Sequence, residues 1–157
     1  MPEWKAIDTV AARGLLARLR SLDWGWTAAE VPALLRRLGW VAIPGTKGAA
    51  DARLGLSGRE VRIPIDGDDV DSVVVTVTDI SPTRDPARRT FAHDVFVMLV
   101  KTATELFGES TRRIQDDNPR VDWRDERNTL SIARLGNGVT VTLMPNERRD
   151  FWDEELD

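Results

Sequence analysis

The sequence contains no cysteine. That excludes disulfides, thiol nucleophiles and cysteine-ligated zinc, and it is compatible with a reducing cytoplasm. Histidine occurs once, as His93. A Ser–His–Asp arrangement would have to use it, yet no G-x-S-x-G elbow accompanies it. On a segment that reads as a buried helix, a lone histidine reads as a packed or partly exposed residue rather than as a base. No apolar run approaches the roughly 20 residues that span a bilayer. The opening MPEWKAIDTVAARG lacks the apolar core of a signal peptide. The expectation is a soluble, cytoplasmic protein with no membrane partner.

Positive charge is also not in excess. The chain carries 22 Lys and Arg against 26 Asp and Glu, a net charge of −4. A nucleic-acid binder needs a basic surplus or a basic stripe, so nucleic acid is not expected as a partner. GTKG (45–48) is not a Walker loop, because no G-x-x-x-x-G-K-[ST] occurs; it reads as a plain loop. DGDDVD (66–71) gathers four carboxylates, but an EF-hand needs Gly at its sixth position and Glu at its twelfth, where this chain has Asp71 and Val77. It reads as a solvated turn, with a weak cation site and an acidic docking patch as alternatives. No cofactor is expected.

What is present suits one globular domain over 1–157. Hydrophobic residues make up 41% and charged residues 31% of the 157, a balance too apolar for disorder. Three of the six tryptophans fall in DWGWTAAEVPALLRRLGW (23–40). The first helix is predicted over 9–22, with Val10, Leu15, Leu19 and Leu22 near one face. Thr27-Ala-Ala-Glu30 matches a capping box, and Trp26 and Val31 have hydrophobic-staple spacing. Pro32 disfavours the turn before it, so the second helix begins properly near Pro32 after one loose turn. Val31, Leu34, Leu35 and Leu38 form its inner face, and Gly39 stops it with Trp40 packing back on Leu35. These indoles read as a helix–turn–helix corner of the core rather than as a binding surface or a DNA-reading motif.

From residue 53 the period changes to two. Leu54 and Leu56, then Val61, Ile63 and Ile65, then SVVVTVTDI (72–80) are predicted strands, with 45–52 left as a loop. A third helix over 86–107 has Asp85 as its cap and Gly108 as its stop; VFVMLV (95–100) is apolar nearly all round, which predicts deep packing. Residues 109–119 read as loop. RVDW, NTLSIARL and GVTVTLM are strands, the last two joined at Gly136-Asn137-Gly138. The tail reads as a short helix carrying Phe151 and Trp152. The fold class is α+β: an antiparallel sheet of five to six strands in the order α-α-β-β-β-α-β-β-β-(α), with the central helix packed on one sheet face.

One stretch gathers charge around an aromatic. QDDNPRVDWRDER (115–127) brings Asp116, Asp117, Asp122, Arg124, Asp125 and Glu126 around Trp123. Strand alternation puts Val121 and Trp123 on one face and Asp122 and Arg124 on the other. Three readings stay open: an inward indole beneath a solvated charged face, a partner-binding patch, since Trp and Arg are favoured interface anchors, and paired carboxylates for glycoside chemistry, which sequence spacing cannot establish. The partner-binding reading makes those six charged residues the candidate site of a non-enzyme.

In LRSLDWGWT, LLRRLGW and VDWRDERNTLSIARLGNGVTVTLMPN the chain resembles an actinobacterial domain family whose members look like the immunity proteins of secreted polymorphic toxins. The resemblance implies a small cytoplasmic protein that binds and neutralises a cognate toxin, and it assigns no catalytic residue. A secretion chaperone or adaptor, which holds an effector by an extended segment, is the alternative.

Overall fold

The computed structural model describes residues 4–58, 60–81 and 85–156, with side chains through Glu154. In chain order the elements are α1 (Thr9–Arg20), α2 (Val31–Leu38), β1 (Val41–Ala42), β2 (Ala49–Asp51), β3 (Val61–Arg62), β4 (Ile65–Asp66), β5 (Asp69–Val70), β6 (Val73–Thr76), α3 (Pro86–Phe107), β7 (Arg112–Ile114), β8 (Arg120–Arg124), β9 (Asn128–Leu135), β10 (Gly138–Pro145) and α4 (Asn146–Leu156). The fold is α+β. Among the described residues the main sheet has eight strands, in the order β1-β2-β3-β6-β10-β9-β8-β7, and every neighbouring pair is antiparallel. β4 and β5 form a separate hairpin.

The expected five to six strands fall short for physical reasons. β1, β2 and β7 are only two or three residues long. A ladder that short leaves no alternation to read, and Arg112-Arg113-Ile114 has the composition of a loop. Conversely, Leu54 and Leu56 do not sit in a strand. The buried carboxylate of Glu60 accepts hydrogen bonds from the backbone N–H groups of Ala52, Leu54 and Leu56 at 3.0, 3.1 and 3.0 Å. Their donors are thereby taken from any ladder and wrapped around an acid.

The core lies between the sheet and the first three helices. Val61, Val73, Val75, Leu130, Ile132, Val141 and Leu143 are buried on strands, while Leu16, Leu19, Leu34, Val95 and Leu99 are buried on helices. α1 packs on α3, and α3 lies over β9 and β10. Packing of α3 is more one-sided than its composition predicts, since Val97 in the apolar run is 50% exposed. Trp123 is the largest fully buried side chain. Its indole N–H donates to the Gly108 carbonyl at 3.0 Å, and Phe107 meets the ring edge-on. One residue thus ties β8 to the C-terminal end of α3 and satisfies its polar atom while doing so.

At the tryptophan-rich corner, a 3-10 turn over Ala28–Glu30 precedes α2, the loose turn expected before Pro32. The capping box is rearranged. The Glu30 carboxylate accepts from the Thr27 hydroxyl at 2.8 Å and from the Gly25 N–H at 2.9 Å. That approach needs glycine, because a Cβ at residue 25 would lie 2.2 Å from a Glu30 carboxylate oxygen. α2 ends in a Schellman motif: Gly39 takes φ 72°, Trp40 N–H donates to Leu35 and Gly39 N–H to Arg36. Trp40 is buried, as expected; Trp24 and Trp26 pack against the core but stay partly exposed.

Trp123→Ala is expected to cost about 3–5 kcal/mol, read as a lower urea midpoint. Leu135→Ala, exposed at the end of β9, should leave the midpoint nearly unchanged.

Candidate functional site

The residues that the sequence groups around Trp123 separate into three places. Asp116 and Asp117 lie in the turn between β7 and β8, where the Asp116 carboxylate accepts from Asn118 N–H at 2.7 Å. Asp125 and Glu126 lie in the turn beyond the other end of β8. The five residues of that strand hold the two turns apart by about 17 Å at ~3.3 Å per residue. Between them, Asp122 is only 3% exposed.

Asp122 is buried because α4 covers the second face of the sheet. The alternation itself is as predicted, with Val121 and Trp123 toward α3 and Asp122 opposite. The face on which Asp122 stands, however, is enclosed rather than solvated. Asp122 receives two parallel hydrogen bonds from Arg120, each 3.0 Å, and a third from the Ser131 hydroxyl at 2.7 Å. Arg120 also pairs with Asp153 of α4 at 3.1 Å. Arg149 reaches down from the same helix and donates to Ser131 at 3.2 Å, with Asp153 3.8 Å from its other amino group. Burial works against the Arg120 charge, yet Asp122 and Asp153 together raise its pKa above the usual guanidinium value. For Arg149, burial and then the neighbouring Arg120 push the pKa down. The bidentate geometry makes Asp122 a structural anchor.

Arg124 stands at the rim of this face and clasps Asp150 at 2.6 and 3.1 Å. The Arg124 hydrogen bonds hold the Asp150 carboxyl below the usual carboxylate range. α4 is fixed at its start by Asn146, which accepts from Thr129 at 2.8 Å and donates to the Asp125 carbonyl at 2.9 Å. Farther along, Arg148 faces Asp66 and Asp71 of the β4–β5 hairpin, and the Trp152 indole donates to Asp71 at 3.0 Å. The helix is therefore latched almost entirely by polar contacts.

Asp125 has a local task. Its carboxylate accepts from the backbone N–H groups of Arg127 and Asn128, both at 2.8 Å, closing the β8–β9 turn. Partial burial opposes its charge. The Asn128 and Arg127 hydrogen bonds and the Arg20 and Arg127 charges outweigh that and lower its pKa. Asp116, Asp117, Arg124, Asp125 and Glu126 are exposed and remain able to meet a partner.

Composition gave no sign of the buried arginines. Arg88, fully buried in the first turn of α3, donates to the carbonyls of Asn137 and Asp79. Its guanidinium lies 5.0 Å from the Phe91 ring centre and 5.6 Å from that of Trp4. Burial lowers its pKa while the Asp79 charge works the other way. The one readable hint is an arginine breaking the inner stripe of α3, four residues before Ala92.

A cleft of about 740 Å3 runs past Arg89, Asp116, Asp117, Asn118 and Arg134. Both signs of charge line it. A smaller groove of about 520 Å3 lies between the β4–β5 hairpin and α4, lined by Trp26, Val70, Pro145 and Phe151. His93 is exposed on α3. Among the described residues, no three His, Asp or Glu side chains are grouped as metal ligands would be, and no helix is long and apolar enough to cross a membrane.

Residues 10–145 match the profile of a family of unknown function, DUF6301. The chain belongs to DUF6301. No curated protein and no solved structure matches it. The DUF6301 match takes in the buried Asp122, Trp123 and Ser131 and stops at Pro145, the residue before α4.

Asp122→Ala removes the bidentate partner of Arg120 and the acceptor of the Ser131 hydroxyl and should lower stability by about 3 kcal/mol, measured by urea unfolding. Raising NaCl from low to molar concentration should speed amide hydrogen exchange across 146–156 more than in β9 and β10, because the rim pairs are screened. The lowered carboxyl values of Asp125 and Asp150 fix the sign of a pH dependence. Their stabilisation is complete above about pH 5 and is lost as pH falls through their folded values, below about pH 4. Asp125→Asn should be less stable than wild type at pH 7, a difference that shrinks as pH falls through the folded carboxyl value in urea titrations.

Proposed function

We propose that this domain is a non-catalytic immunity protein that binds a cognate secreted bacterial toxin in the cytoplasm and neutralises it. The observation that carries the reading is on α4. Phe151 and Trp152 are 49% and 44% exposed, and their rings meet edge-on with centres 5.3 Å apart. Two large aromatics held side by side in solvent, on a helix docked through its polar residues, are suited to anchor a partner. The net charge of −4 and the resemblance carried by LRSLDWGWT and VDWRDERNTLSIARLGNGVTVTLMPN support the same reading.

The mechanism is occlusion. The exposed carboxylates Asp116, Asp117 and Glu126 contribute to a field that draws in a basic partner and rejects an acidic one. The aromatics then slow dissociation by burying apolar area. Asp122 acts indirectly, by holding the helix that presents them. A chaperone that pairs an extended segment with a sheet edge is less well supported, since the edges are strands of two and three residues and offer short ladders.

Co-expression with the product of the adjacent gene tests the proposal. A co-purifying complex and rescue of growth from that product's toxicity are expected. Phe151→Ala/Trp152→Ala should weaken the complex at least about tenfold, the scale of an interface anchor. Absence of both the complex and the rescue would sink the reading.

A further inference from the structure

The groove between the β4–β5 hairpin and α4 has a chemical preference of its own. Trp26 and Phe151 line it, and the half-buried Pro145 supplies further apolar surface. Trp26 sits at φ 57°, a left-handed conformation that bulky residues rarely adopt. Pairing with the hairpin holds it there: Val70 N–H donates to the Trp26 carbonyl at 2.9 Å, and Ala28 N–H to that of Asp68 at 2.9 Å. Such strain is retained where the surrounding structure fixes a side chain for use.

The charge around the groove is one-sided. Arg148 is the one cation in its lining, and that charge already faces Asp66 at 3.4 Å and Asp71 at 3.8 Å. Asp69 and Glu147 add two exposed carboxylates to the lining, and neither forms an ion pair among the described residues. An aromatic wall therefore stands beside carboxylates that face solvent.

We propose that this groove receives an arginine or lysine side chain, presented by an exposed loop of a partner protein, between Trp26 and Phe151. The inference rests on the reading of the domain as a protein binder and names the chemistry of what it binds. An aromatic face attracts a cation through its quadrupole. Pro145 and the ring faces cover the methylene stem, as apolar surface does for long charged side chains. Asp69 and Glu147 complement the charged head. A nucleic-acid strand is a poor occupant, because the same carboxylates repel phosphate.

The test is a titration of the full chain with a blocked pentapeptide, Gly-Ala-Arg-Ala-Gly, followed by amide and indole N–H chemical shifts. Controls are the same peptide with norleucine in place of arginine, and free arginine amide. The expected result is movement of Trp26 and of the resonances around Phe151 at millimolar arginine peptide, with no movement for norleucine and weaker binding of arginine amide. Phe151→Ala and Asp69→Asn/Glu147→Gln should each weaken peptide binding at least tenfold, while Asp94→Asn/Glu109→Gln, exposed and outside the groove, should not. These side chains are exposed, so an unchanged spectrum away from the groove verifies that each variant folds. No shift with the arginine peptide, equal shifts with norleucine, or binding indifferent to Phe151→Ala overturns the proposal. Arginine amide binding as tightly as the peptide overturns the protein-loop occupant. Toxin neutralisation that survives Phe151→Ala while the peptide fails to bind sinks the groove alone. Peptide binding without neutralisation sinks the immunity reading alone.

Discussion

The arrangement of β8 governs the rest of the molecule. Asp122 and Trp123 are neighbours in sequence, and the pleat sends them to opposite faces of one sheet. Both are buried, at 3% and 1% exposure. An indole can be buried by any apolar layer, and α3 provides one. A carboxylate needs donors. Arg120 and Ser131 donate to it from the sheet itself, and α4 closes over them with Arg149, which donates to Ser131, and Asp153, which balances the added charge. A sheet with one oily face and one enclosed ionic face follows from that demand, since breaking such a pair costs more than never building it.

That ionic layer explains why α4 can display aromatics. A helix that docks through Arg148, Arg149, Asp150, Asp153 and the Trp152 indole N–H leaves the rings of Phe151 and Trp152 partly exposed. Specificity of docking comes from directional bonds, which permit one seating of the helix. The hairpin β4–β5 shares in this through Asp66 and Asp71, so the groove and the latch are two sides of one contact.

Long periodic elements were legible from residues alone. α1, α2 with its left-handed stop, α3 and the β9–β10 hairpin fall close to their predicted positions, and Gly136 at φ 63° occupies the first turn position that its residue type suggests. The short strands were not, because two residues carry no period. Nor was the separation of the charged cluster: alternation distinguishes the two faces of a strand but does not say whether a later helix will cover the polar one. Asp122 reads as surface until Arg149 and Asp153, nearly thirty residues on, are folded back over it. The groove was hidden for the same reason, since Trp26, Asp69 and Phe151 come from three distant segments.

The sheet is open, and its outermost strands have a consequence for behaviour at high concentration. β1 offers two residues and β7 three, the latter beginning with Arg112 and Arg113. Stubby margins give another copy too little backbone to zip onto, and at β7 the arginines make stacking of like upon like electrostatically costly. The architecture thereby resists fibril growth without closing into a barrel.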